Sequence, residues 1–598
     1  MKRLLALFVA LLLLVPASSF ALSPEEIMKK IQDLTNQIQE LKKQMQEMQN
    51  KQMQQQADVM DAKDQAKEVK SKFGWLTIGG DYRFRFDSLR GDVHEHFNFS
   101  DLENQAYEIW QSHIMLGGYY ASQGITYPLV KPWTNPLNGQ TYLITGLSST
   151  ELNQLFGAAM KGNSTAKNDA LLTNRFRLTI KAQATENIAV KARLAMYKIW
   201  GHQTSGPLTD AGYFADRMST GGAPFDGQTG HLPMDNKLVV DYAYATWSNV
   251  FDLPVWFSVG RRPSTEGIPT NIRQNREKVG TAGVPGLMID YAFDGLTLGF
   301  APYIEALPGF YAKVCYGKGF DSGFRTDIPG DSTPKDVDFL GINIVPIDTD
   351  NFHVELQWDR AFNIFDTFPD SGVKANLGDI DQYGITATYK VENLGAGDLT
   401  LFASAALSKT HPSDEMLAMD IFTTVDMNGD GIPDDLDGDG YPDLMLVQNQ
   451  PLAGLLFDAD QNGQPVDKDS KTGHAFYVGA RYDIKSTGTK IGLEYNYGSK
   501  NWITFGPAAD DMWTNKLGTR GEVYEAYLIQ ELPEMPIAKM GKAYFRLGYQ
   551  YYKFRYTGSN SWIGAPKKID DLTSMNYPQF MAPLKNAHDI YFTFDVTF

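Results

Sequence analysis

One cysteine, Cys315, serves all 598 residues, and that scarcity excludes a disulfide framework, a c-type haem attachment and a thiolate zinc site. Cys315 is expected as a bland core or lipid-facing thiol. Beyond the N-terminal stretch, no run approaches the roughly 18 apolar residues that a membrane helix needs. A membrane protein of this sequence therefore crosses with strands. Excess basic charge is also missing: a net charge of -17 and a pI near 5.0 leave no basic surface for nucleic acid. No Ser-His-Asp grouping, nucleotide-binding loop or paired cysteine motif stands out, so the chain is not read as an enzyme. His94-Glu95-His96 is one local pair of imidazoles, by default polar surface rather than a transition-metal site.

What is present begins with a targeting pattern. Lys2 and Arg3 precede the apolar run 4–15, and Ser19-Phe20-Ala21 supplies small residues for cleavage; residues 1–21 read as a secretory signal. No cysteine follows the run, which argues against a lipid-anchored N-terminus. Residues 22–72 then carry Ile27, Ile31, Leu34, Ile38, Leu41, Met45 and Met48 at alternating steps of four and three, the spacing of a coiled-coil seam. A lone amphipathic helix is the alternative, although such helices use a wider apolar stripe. Ile31 and Ile38 at one core position with Leu34 and Leu41 at the other favour two strands by the general rule. The Gln-rich stretch from Gln52 to Gln56 and the charged run to Lys72 form a connector.

From Trp75 the period changes to two. In 76–86 even positions are apolar and odd ones become charged, and 174–184 repeats the pattern before a Glu186-Asn187 turn returns the chain as Val190, Ala192 and Leu194. Similar runs occur near 237–248, 254–263, 286–294, 296–305, 336–346, 352–361, 380–391, 397–409, 474–485, 488–498, 521–531 and 541–555, with an ambiguous run at 309–318. In the last strand Ile590, Phe592, Phe594, Val596 and Phe598 face one way, and Asp589, Tyr591, Thr593, Asp595 and Thr597 the other. The 54 glycines, 30 tyrosines, 34 phenylalanines and 10 tryptophans suit aromatic-girdled strands and long polar loops. Short turns alternate with long segments at 88–172, 201–236, 264–285, 410–473 and 556–587. The expectation is an all-β fold over residues 73–598: a transmembrane antiparallel β-barrel of about 16 strands, within 14–18, preceded by an α-helical coiled coil. A periplasmic multi-sheet solenoid is the alternative, and it does not explain the loop asymmetry.

Inward charges segregate along the chain. Arg83, Arg85, Arg175, Arg177, Lys181, Lys191 and Arg193 come from early strands, whereas Asp241, Glu355, Asp359 and Glu494 come from later ones. On a closed barrel this predicts a basic pore wall facing an acidic one, and such charges set pore selectivity; ordinary salt bridging between lumen neighbours is the alternative. Gly260-Arg261-Arg262-Pro263-Ser264-Thr265-Glu266-Gly267, followed by Arg273, Arg276 and Lys278, reads as an inward-folding constriction loop.

The 410–473 loop carries the sharpest local motif. Asp426, Asn428, Asp430, Asp434, Asp435, Asp437, Asp439 and Asp443 place oxygens at close intervals between glycines that permit tight turns, the way an oxygen cage for Ca²⁺ is built. One register runs from Asp426 to Asp437; the other uses Asp435, Asp437, Asp439, Asp443 and the carbonyl of Tyr441. The motif resembles thrombospondin type 3 or dockerin calcium repeats rather than a full EF-hand, and Asp458-Ala459-Asp460-Gln461-Asn462-Gly463 with Asp469 is a degenerate further copy. Calcium is expected as a structural ion; a solvated acidic loop is the alternative.

The terminal strand ending on Phe598 resembles that of Gram-negative outer-membrane porins. With the coiled coil, the chain resembles porin-like outer-membrane proteins of anaerobic and metal-reducing bacteria. The resemblance implies an outer-membrane location with the coiled coil in the periplasm, contact with outer-membrane lipid, a homo-oligomer (a trimer by resemblance) and passive diffusion of small hydrophilic solutes or ions. The basic wall adds an expected preference for anions. The other class is a structural or interaction barrel, a tether to peptidoglycan or the sheath of a multihaem cytochrome.

Overall fold

The computed structural model describes Gln32 and residues 74–123, 130–136, 139–201, 231–233, 236–276, 283–324, 333–367, 374–424, 433–460, 462–506, 510–538, 541–572 and 577–598. The signal, the heptad segment, Lys278, Asp426, Asn428 and Asp430 lie outside the described residues. The chain divides into two units, Met1–Trp75 and Leu76–Phe598. In the first, only Gln32, which is helical, and the turn residues Gly74 and Trp75 are described.

The second unit is a closed sheet of sixteen strands. They are β1 (Leu76–Val93), β2 (Ser164–Gln183), β3 (Ile188–Ile199), β4 (Val239–Ser248), β5 (Val255–Ser264), β6 (Tyr291–Phe300), β7 (Tyr311–Phe320) and β8 (Val337–Asp348). There follow β9 (Phe352–Thr367), β10 (Lys374–Leu394), β11 (Gly397–Pro412), β12 (Thr472–Ile484), β13 (Thr489–Gly498), β14 (Gly521–Glu531), β15 (Lys542–Phe554) and β16 (Leu584–Thr597). Each pairs antiparallel with the next, and β16 closes on β1 with Phe84 opposite Phe594. Closure leaves no exposed edge.

Alternation sorts the side chains as the period of two requires. Ile590 on β16, Leu547 on β15, Leu493 on β13, Leu407 on β11 and Ile78 on β1 lie on the exterior and are exposed, while Asp589, Thr593, Arg85 and Gln550 face inward and are buried. The exterior is thus apolar, while the interior holds most of the buried charges together with an apolar cluster in which Leu287, Met288, Trp502 and Phe505 of the loops pack on Phe339 and Phe365 of the wall.

Two expected strands, 286–294 and 296–305, are one: β6 runs through Asp294-Gly295 without turning. Asp-Gly is a hairpin signal, but here Gly295 is needed for close approach, since a Cβ there would lie 2.0 Å from the Tyr316 carbonyl oxygen on β7. The ambiguous run at 309–318 is a true strand, β7, so the count returns to sixteen. Connections at 184–187, 249–254, 301–310, 349–351, 395–396, 485–488 and 532–541 are short. The others join strand ends on the opposite rim, and all but 368–373 are longer.

Described stretches of the long loops carry regular structure of their own. Helix α1 (Phe99–Ser122) starts at Asn98, whose side chain accepts from the Asp101 N–H, and α2 (Ser149–Ala159) starts on a Ser148/Glu151 capping box. Loop segments Thr141–Gly146 and Asp443–Gly454 pair in an accessory sheet. Ala106, Ile109, Trp110, Leu147, Leu155 and Leu444 form its small core.

Candidate channel interior

The five arginines expected in the basic wall, Arg83, Arg85, Arg175, Arg177 and Arg193, all point into the barrel, and each meets an acid. Arg83 reaches Asp510 at 2.6 Å and Asp595 at 2.8 Å, and Arg85 reaches Asp87 at 2.6 Å and Asp589 at 3.2 Å. Arg175 meets Asp510 at 3.3 Å, Arg177 meets Asp81 at 2.9 Å and also Glu266, and Arg193 pairs with Asp241 and with Glu266 at 3.3 Å. Asp241 therefore stands beside a basic residue instead of across from it, because a bulge between Arg193 and Leu194 turns it toward β3. Lys181 and Lys191, directly opposed in the β2–β3 register, differ from the arginines: they have no ion pair among the described residues.

Two loops supply much of this neutralisation. The 265–290 loop leaves β5 and crosses the lumen. Arg273 meets Asp511 at 2.7 Å and Glu525 on β14 at 3.1 Å, Asn275 accepts from Lys490 on β13 at 2.7 Å, and the Gln274 carbonyl accepts from Tyr544 on β15 at 3.0 Å. Strands β13 and β14 lie eight positions from β5 and β6, so the loop spans from one wall to the other, as the constriction-loop reading anticipates. The 499–520 loop packs on it through the Phe505 N–H, which donates to Met288 at 2.8 Å. It also buries Lys516 between Glu494 at 2.5 Å and Glu525 at 2.6 Å.

Opposite the arginines, on β9, the inward ladder is His353, Glu355, Gln357 and Asp359. Glu355 accepts from Asn343 on β8 at 2.7 Å, and Asp359, only 2% exposed, has the Gln357 amide beside it but no ion-pair partner among the described residues. Below this ladder, at the short-turn end, a cavity of about 620 Å³ opens between the 265–290 loop and the wall from β7 to β14. Its lining carries seven carboxylates, Asp348, Asp350, Glu355, Glu392, Asp398, Asp483 and Glu531, against Arg276, Lys390, Arg481, Lys485 and Lys490. Cys315 stands on the interior face, its Sγ accepting from Thr297 at 3.2 Å.

In the acidic loop the ligand oxygens of Asp435, Asp437 and Asp443 lie within 4.8 Å of one another. Asp443 is fully buried, its Oδ2 accepts from the Leu436 N–H at 2.8 Å, and its Oδ1 has no partner. Burial and the neighbouring Asp437 and Asp439 push its carboxyl up to about 6. Asp435 accepts backbone N–H groups of Gly438 and Gly440 at 2.7 Å, Lys131 pairs with Asp437 and Asp439, and Asp434 contributes its carbonyl to the Asp443 N–H at 3.0 Å. In the degenerate copy Asp458 is taken by Lys567 at 2.6 Å, and Asp460 closes a turn with Asn462 and Gln464. His94 and His96 each turn Nδ1 to a backbone carbonyl, at 2.7 and 2.9 Å.

A family model described as a protein of unknown function (DUF3373) matches residues 165–598, well over half of the chain. The chain is a DUF3373 protein. No curated protein matches it by sequence. Among solved structures it is similar to OprB of Pseudomonas putida at high pH, with 11% identity, 90% of this chain and 97% of that one covered and a TM-score of 0.38. It is also similar to OmpT of Vibrio cholerae in its trimer form, with 9% identity, 88% and 99% covered and a TM-score of 0.33. Salmonella typhi OmpF in complex with daunomycin gives 10% identity, 87% and 97% covered and 0.34.

Several interior residues of this DUF3373 barrel stand outside the expected basic and acidic walls. Asp81 and Asp87 share the face of Arg83 and Arg85, and Asp589 and Asp595 share the wet face of β16, so period two alone could have paired them. Asp510, Asp511 and Lys516 sit in a loop without periodicity, where only the crossing of the lumen brings the two acids to Arg83 and Arg273 and the lysine to Glu494 and Glu525.

Proposed function

We propose that this protein is an outer-membrane channel for passive diffusion of small hydrophilic solutes or ions, not an enzyme. The observation that carries the reading is the closed sixteen-strand cylinder with an apolar exterior and a charged interior. Closure satisfies every ladder hydrogen bond, which hydrocarbon demands, and a barrel of this strand number is wide enough for an aqueous path that side chains alone do not fill. The solute route in this reading follows the cavity beside β7 to β14. An anion preference would need the early-strand guanidiniums free, and they are neutralised; the acidic surplus of the cavity favours cations. Planar-bilayer recording tests both parts. Stable open steps at neutral pH support a channel, persistent silence from folded barrel sinks it, and reversal potentials in a salt gradient assign the preferred sign.

Calcium is proposed as a structural ion at Asp435, Asp437 and Asp443, because a buried carboxylate oxygen without a partner faces two further carboxylates. Bound ion would stiffen the 410–473 loop. Limited proteolysis with and without chelator checks this: cleavage unchanged by chelator removes the proposal. The heptad segment is proposed as a periplasmic coiled coil that joins homo-oligomers, a trimer by resemblance, with peptidoglycan as a partner to be tested by co-sedimentation. The scaffold reading gains one point from the structure, since the two inward loops narrow the lumen. The sheath of a multihaem cytochrome loses by the same fact, because those loops take the space a partner polypeptide would need.

A further inference from the structure

We propose that the β9 wall holds a small monovalent cation between Asp359, Gln382 and Asn343; the inference rests on the channel reading only for its route of access. Asp359 on β9 lies directly opposite Gln382 on β10, and Asn343 on β8 lies one pair along, opposite Gln357. Opposed side chains of antiparallel neighbours stand about 5 Å apart at Cβ and diagonal ones about 7 Å, a spacing from which carboxylate and amide oxygens converge on one ion.

Acceptor capacity here exceeds the donors: the Gln357 amide beside Asp359 is the one side-chain donor that reaches its carboxyl among the described residues. Both carboxylate oxygens of Asp359, the Oδ1 of Asn343 and the Oε1 of Gln382 are buried, and none has a hydrogen bond of good geometry among the described residues. The amide nitrogens are already committed, Asn343 Nδ2 to Glu355 and Gln357 at 2.7 and 2.8 Å, and Gln382 Nε2 to the Ile503 carbonyl at 2.8 Å. The amide oxygens are therefore the ends left facing the carboxylate. Gly341, opposite Asp359 on its other side, adds no side chain to the spot.

A buried carboxylate without a cation is costly, and no described cation pairs with Asp359; Lys313, beside Asn343 in register, donates to the Gly283 carbonyl at 2.5 Å. A single negative charge with neutral amide oxygens matches a monovalent hard cation better than a divalent one, which collects several carboxylates. Access is from the cavity, because Glu355 lines it and Asp359 stands two inward steps further along the same strand.

The test uses full-length protein in detergent with EGTA present, so that the calcium loop contributes nothing. Thermal unfolding of the barrel is followed by gel mobility at equal ionic strength in sodium, potassium, methylammonium and choline chloride. Small cations should raise the midpoint by ~2 °C or more over choline by preferential binding to the folded state, and Asp359→Asn should abolish the difference. A shift with methylammonium alone identifies the ion as an ammonium group; a shift with sodium or potassium identifies an alkali ion. Should Asp359→Asn not fold, Gln382→Met removes one ligand oxygen and should reduce the shift. The proposal is overturned if wild-type protein melts identically in choline, or if the variant keeps the full shift. A barrel silent in bilayers would remove the channel reading and leave this measurement intact.

Discussion

At the scale of single residues, burial without full pairing has consequences outside the barrel wall as well as inside it. Glu103 on α1 accepts from the Phe422 N–H at 3.0 Å, and its other oxygen has no partner. Burial pushes its carboxyl up from 4.5 to about 7. Below about pH 4.5 the group is protonated whether the loop is folded or not. Between there and about 7 only the folded loop keeps the proton, so the stability it contributes falls as pH rises through that window. A displacement of this size is worth on the order of 3 kcal/mol. Protection factors of the 417–424 amides, which divide out the base catalysis common to all amide exchange, should therefore fall between pH 5 and 7 in the wild type and stay level in Glu103→Gln, whose neutral amide has no such titration. The sequence offered no sign of this residue, because its environment is made by a strand more than three hundred positions away.

At the scale of elements, strands were legible and inward loops only half so. Alternation marked β1, β2 and β16 with their inward arginines and acids, since one face of each meets a polar interior. It failed at Gly295, where a turn signal serves close strand approach. Gly295→Ala should push β6 from β7 at a cost of about 1–3 kcal/mol, seen as a lower folded fraction on gels without boiling. The 265–290 loop could be suspected from its arginines, but the 499–520 loop has no local signature, and its role rests on distant pairs. Asp510 is the hinge of that role, buried between Arg83 and Arg175. Asp510→Asn keeps the shape and removes the charge. The cost should be on the order of 3 kcal/mol, the lower end for breaking a buried pair, because Asp595 and Asp81 still face the arginines. Trypsin should then cut at Lys516, which the wild type protects, and single-channel steps should grow.

At the scale of the molecule, everything depends on the seam where the first strand meets the last. Sequence alternation identified both strands as wall-forming; that they touch follows only from closure, since residues 80 and 598 lie near opposite ends of the barrel's stretch of chain. The Gly80 N–H donates to the Phe598 carbonyl at 2.8 Å, and the Phe598 N–H donates to the Gly80 carbonyl at 3.0 Å. Gly80 is small for a reason: a Cβ there would lie 2.4 Å from the Arg177 carbonyl oxygen and 2.8 Å from Cζ of the Phe598 ring. The ring thus occupies the place a side chain would need, and the missing side chain lets β1 lie close to β2 and β16 together. Two substitutions separate these contributions. Phe598→Ala keeps the backbone bonds and loses the ring, so the closed barrel should form and unfold at a lower temperature. Gly80→Ala sets a methyl against the β2 backbone, which cannot yield without moving a strand, so closure itself should fail and the protein should run as unfolded chain even in unheated samples. If Gly80→Ala closes as readily as the wild type, the seam is looser than this geometry requires, and the tight approach of three strands at Gly80 is not what completes the cylinder.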